Sequence, residues 1–168
     1  MWWYRSLIGI VLMVLIGGCG YKLATCPPVV LPEPLREIYL APVSNPTTYP
    51  NLSQLVKNIF LDEFSKRNSH ISWTDKSRSK GEMYLEIVDY GSTTSVENAA
   101  EETLKLSVCL TLRASLYSSN SSRLVWDSGY VKNCEVIPSS DKEVSPPILH
   151  RVVKDTVDKL LALLALKF

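Results

Sequence analysis

The sequence predicts an α+β fold, a two-layer sandwich in which a mixed sheet of about four to five strands carries two helices packed on one face. Three observations lead there. From Leu104 to Leu116 every even position is apolar, while Lys105, Ser107, Cys109, Thr111, Arg113, Ser115 and Tyr117 fill the odd ones. A period of two this long means a strand with one face in a core. Leu52, Leu55, Val56, Ile59, Phe60 and Phe64 recur at steps of three and four, and so do Leu149, Val152, Val153, Val157, Leu160, Leu161 and Leu164. Each set is the apolar stripe of an amphipathic helix.

The first eighteen residues read as an export signal. Arg5 and the amino terminus give a short positive region, and Leu7 to Ile16 is apolar apart from Gly9. That run is shorter than the roughly 20 residues a membrane span needs and fits the ~7–15-residue core of a secretory signal. Ile16-Gly17-Gly18-Cys19 follows at once. Small residues directly before a cysteine suit lipoprotein processing, in which the thiol takes a diacylglyceryl group before cleavage. Cys19 is therefore the expected lipidation site, and one diacylglycerol plus an amide-linked acyl chain is enough for a stable anchor. Gly20 rather than an acid after Cys19 fits onward sorting to the outer membrane. Residues 19–35, with Pro27, Pro28, Pro32 and Pro34, are expected to form an extended tether to a single domain over 36–168.

Within that domain, Glu37 to Val43 reads as a strand apolar on both faces and hence interior to the sheet. Ser44-Asn45-Pro46-Thr47 breaks it with turn chemistry. Asn51 with Gln54 three residues on resembles a capping box for the first helix, which ends near Asn68. Ile71 to Thr74 suggests a short strand, and Met83, Leu85 and Ile87 alternate as a firmer one. After the long strand, Ser118 to Ser122 is a hairpin loop and Arg123 to Val136 a single returning strand, with Trp126 and Tyr130 read as core residues. Ser145 and Pro146 supply a cap and a first helical position for the closing helix.

Charge excludes one class of partner. Removing residues 1–18 removes Arg5 and no acid, leaving 17 basic and 17 acidic side chains. A balanced chain is not a nucleic-acid binder by charge. Catalytic constellations are also missing from the pattern. His70 and His150 have no nucleophile or carboxylate at motif spacing, and no metal-ligand spacing appears, so no enzyme, metal or dissociable cofactor is expected. Besides Cys19 there are Cys26, Cys109 and Cys134. Cys109 and Cys134 lie on strands joined by a hairpin, so they form a disulfide if the loop centre falls between Ser121 and Ser122, and face opposite sides if the register differs by one. The odd face of the long strand either meets solvent or receives a partner, a protein or an anionic glycolipid.

Taken in order, Gly18-Cys19-Gly20-Tyr21-Lys22-Leu23, Pro32, Ile38 to Val43 with Ser44-Asn45-Pro46-Thr47, the helix to Phe64, the loop Ser95 to Glu101, Leu124-Val125-Trp126 and the closing helix resemble the LPS-assembly lipoprotein family, the LptE-like proteins. The resemblance implies a periplasm-facing outer-membrane lipoprotein that plugs and stabilises an LptD-type β-barrel and assists lipopolysaccharide insertion, without turnover. It also implies basic contacts to lipopolysaccharide before the long strand and before the last helix. The first region reads Glu97-Asn98 here, whereas Lys142 stands in the second. Lys105 and Arg113 are contacts suggested by their place on the odd face. The alternative reading is a lipoprotein regulator of a peptidoglycan synthase, or an accessory lipoprotein of another secretion pore.

Overall fold

A computed structural model describes residues 27–67, 70–97, 103–137 and 144–168. Cys19, Cys26 and Lys142, with the expected signal peptide, lie outside the described residues. Six strands form one sheet: β1 (Glu37–Leu40), β2 (Ser72–Trp73), β3 (Gly81–Glu97), β4 (Thr103–Ser118), β5 (Leu124–Asp127) and β6 (Val131–Ile137). Their order is β2-β1-β3-β4-β5, with β6 also on β4. β1 runs parallel to β2 and β3, and the remaining pairs are antiparallel. Helices α1 (Leu52–Arg67) and α2 (Pro146–Lys167) bury their stripes against Met83, Leu85, Ile87 and the even residues of β4 from Leu106 to Leu116. The α+β sandwich read from the sequence is the fold observed.

Several elements differ from expectation for identifiable reasons. The returning strand is two strands, because Ser128-Gly129-Tyr130 interrupts it with Gly129 at φ 64°. Tyr130, expected in the core, is thereby carried to the surface, while Trp126 is buried opposite Leu116. β1 stops at Leu40 because Pro42 has no N–H to donate; Ala41 N–H donates to Met83 and the ladder resumes at Ser44, which donates to Leu85. The segment expected to be tether joins the domain earlier than residue 36. Val29, Leu31 and Leu35 are buried in the main core, and Glu33–Leu35 forms a single 3-10 turn.

The expected caps are also modified. Asn51 takes φ 62°, and the Gln54 side chain donates to Asn58 rather than back to Asn51. Ser145 occupies the cap position of α2 without a side-chain bond; its carbonyl accepts from Ile148 and Leu149. Between the helices, Arg67 Nη2 meets Asp158 Oδ1 at 2.6 Å, and Lys154 bonds Asp158 at 2.7 Å. Lys154 also lies 3.7 Å from Glu63, which in turn pairs with Lys66. These charges close the seam where the two stripes leave the apolar core.

Candidate functional site

The sheet has two unlike sides. One is covered by α1 and α2; the other carries the residues left over by alternation. A bulge at Val88 refines which ones. Ile87 pairs with Leu112 and Asp89 with Thr111, so Val88 is the extra residue. After it Asp89 faces outward and Tyr90 turns to the core side opposite Leu110. There Tyr90 packs edge-on against Tyr49 at 4.9 Å, and burial pushes its hydroxyl pKa up.

On the outer side β3 places Glu82, Tyr84 and Glu86 opposite Tyr117, Ser115 and Arg113. These residues, with Ser118, Ser119 and Ser122, line a shallow basin of about 480 Å³. The Tyr84 and Tyr117 rings meet edge to face at 5.6 Å. Tyr84 Oη donates to Glu82 at 2.6 Å, and that bond to a carboxylate, followed by partial burial, raises the phenol above its usual range. Among the described residues Glu82 has one loose cationic neighbour, Lys76 at 3.5 Å.

One wall of the basin is organised by Asp127. It accepts from Arg113 at 2.9 and 3.1 Å, from Ser115 Oγ at 2.7 Å and from the Gly129 N–H at 2.7 Å. Burial alone would push its carboxyl upward, but the bonds from Arg113, Ser115 and Gly129 outweigh it and the pKa is lowered. Arg113's own hydrogen bond to Asp127, followed by the carboxylate's charge, raises its guanidinium above the ordinary value. Tyr130 stands over Arg113, its ring centroid 5.7 Å from the guanidinium carbon. Arg113, expected as a contact to an anion, is thus committed to Asp127 and Tyr130.

Lys105 pairs through its backbone with Ser95, eight residues along β4 from Arg113. At a rise of ~3.3 Å per residue the two positions are roughly 26 Å apart and do not form one site. Cys109 and Cys134 stand directly opposite in the β4–β6 register, Cα atoms 4.1 Å apart, and are joined by a disulfide. The sequence left their register open, and the Ser128-Gly129-Tyr130 corner decides it. Ser115 pairs with Asp127, and that register run on unchanged would set Cys109 against Asn133; the corner shifts β6 by one residue. Glu82, Tyr84 and Glu86 were not singled out from sequence, although the alternation of Met83, Leu85 and Ile87 already placed them on the face of Arg113 and Tyr117. Among the described residues no three His, Cys, Asp or Glu side chains are grouped to hold a metal ion, and no helix is long and apolar enough to cross a membrane.

Fold and face together define a small α+β module with one helix-covered side and one open side bearing tyrosines and carboxylates. No protein-family model and no curated protein matches the sequence. Solved structures are similar in fold. The uncharacterized lipoprotein B from Nitrosomonas europaea has a TM-score of 0.54 at 13% identity, covering 85% of this chain and 88% of its own. A protein from Xanthomonas campestris gives 0.55 at 13% identity over 86% and 90%. PelC of Paraburkholderia phytofirmans, solved as a dodecamer, gives 0.54 at 11% identity over 83% and 93%. At these identities the likeness is one of fold, and it is a fold that solved lipoproteins use.

Proposed function

We propose that the protein is a lipoprotein anchored through Cys19 to the outer membrane, facing the periplasm. There it serves without turnover as the partner of a large LptD-type β-barrel in lipopolysaccharide assembly. The observation that carries a docking role is the bare outer side of β3 and β4. Its tyrosines and carboxylates are set on a rigid sheet whose other side is filled by helices. Aromatic side chains on a stiff, partly apolar surface are what protein interfaces favour. The anchor is supported by Ile16-Gly17-Gly18-Cys19, and the barrel as partner by the ordered resemblance to LptE-like proteins.

Electrostatics favours protein over glycolipid as the occupant of this side. Arg113 is neutralised by Asp127, while Glu82 and Glu86 repel phosphate. Affinity purification of the full lipidated protein from detergent-solubilised envelopes tests the reading. A large outer-membrane β-barrel is expected to co-purify. A stable complex only with inner-membrane proteins, or with a peptidoglycan synthase in the absence of any barrel, contradicts it.

A further inference from the structure

The basin on the outer side has a charge imbalance that selects its occupant. Among the described residues lining the cavity, Glu82 and Glu86 contribute two carboxylates and Arg113 one cation, which Asp127 holds from behind the wall. Arg113 is spent on Asp127, and Lys76 approaches Glu82 only from the rim. Glu86 stands opposite Arg113 in the β3–β4 register, yet among the described residues it has no ion pair within 4 Å. Tyr84 lies between the two glutamates on β3, and its ring meets edge to face that of Tyr117, which stands opposite Glu82. A ring beside a carboxylate suits a side chain with an apolar stem and a cationic head.

We infer that this basin receives lysine or arginine side chains of a protein partner, whose stems lie on Tyr84 and Tyr117 and whose heads meet Glu82 and Glu86. The inference rests on the docking role proposed above and specifies the chemistry of the surface that docks. It disfavours phosphate-bearing occupants, because among the described lining residues phosphate would meet two carboxylates and the single cation Arg113, already paired with Asp127. Glu82, Tyr84 and Glu86 sit on alternate residues of one strand, so they form a row that an extended basic segment can follow.

Titration of the full lipidated protein in neutral detergent with a tetralysine peptide, a tetraglutamate peptide and inorganic phosphate tests this. Binding is followed through the tyrosine ring signals. Tetralysine is expected to shift the Tyr84 and Tyr117 signals and to bind at least tenfold more tightly than tetraglutamate, with affinity falling as salt rises. The E82Q/E86Q double variant, altered at outer-side residues away from the core, is expected to keep its melting temperature and lose at least fivefold in tetralysine affinity. Equal binding of both peptides, phosphate shifting the same signals, or an unchanged E82Q/E86Q affinity overturns the inference. Phe60→Tyr, altered inside the helix-covered core, should leave tetralysine affinity unchanged; a comparable loss there also counts against a local site. Barrel capture that persists in E82Q/E86Q with no preference for tetralysine removes this inference and leaves the docking role standing. Tetralysine binding without any barrel capture does the reverse.

Discussion

Arg113 on β4 reaches diagonally to Asp127 on β5, with Nη2 2.9 Å and Nε 3.1 Å from the same carboxylate oxygen. Through the Gly129 N–H, Asp127 also fixes the corner that shifts β6 by one residue and sets Cys134 opposite Cys109. One ion pair therefore supports both the wall of the outer basin and the register of the edge strand.

Asp127 gives the corner a pH dependence. Its pKa is lowered in the folded chain, so its contribution is complete above the unfolded carboxyl value of about 3.9 and fades as pH falls through the folded value. Denaturation followed from pH 7 to pH 2 should show wild-type stability falling below about pH 4. Asp127→Asn should lose less over that interval, having forfeited the charged pair at every pH.

Ser115 is buried and donates to Asp127 at 2.7 Å. Ser115→Ala should lower unfolding stability by about 1.5 kcal/mol, the low end for a bond to a charged group because Asp127 is partly exposed, as measured by urea denaturation.

The disulfide closes a loop across a sequence separation of 25. In the chain-entropy account a loop of that size contributes about 3.5 kcal/mol. Cys109→Ala/Cys134→Ala should therefore unfold at markedly lower denaturant, and non-reducing peptide mapping of the wild type should recover Cys109 joined to Cys134.

Arg67 is buried, its side chain only 4% exposed, and leans on Asp158, which is 26% exposed. Asp158→Ala strands a buried guanidinium. Fully buried pairs cost about 3–5 kcal/mol when broken, and partial exposure here reduces the expected loss to about 2 kcal/mol. Lys66→Ala, on the exposed end of the same seam, should change stability by less than about 0.5 kcal/mol. Thermal denaturation of the two variants side by side checks the contrast.

The core was legible in the sequence because its signals are periodic. The even residues of β4 from Leu106 to Leu116, the α1 stripe and the α2 stripe lie where alternation and helical spacing put them. What escaped depends on single irregular residues. Val88 inserts into β3, Gly129 turns the chain between β5 and β6, and Pro42 stops β1, each altering pairing without disturbing the hydrophobic pattern on either side. The prolines of residues 27–35 point to an extended leash, but Val29, Leu31 and Leu35 among and after them are apolar enough to join the core. The basin was half legible. Arg113 and Tyr117 were placed on the open side, but Arg113's partner Asp127 comes from a strand whose register no sequence spacing specifies.

Site-specific photocrosslinking tests the docking claim most directly. A photoreactive residue replaces Tyr84 on the open side or Lys57 on α1, and the lipidated protein is irradiated in intact envelopes. The account predicts a discrete adduct with a large β-barrel subunit from position 84 and none from position 57. Equal adducts from both positions, or adducts from position 84 with inner-membrane proteins alone, would contradict it.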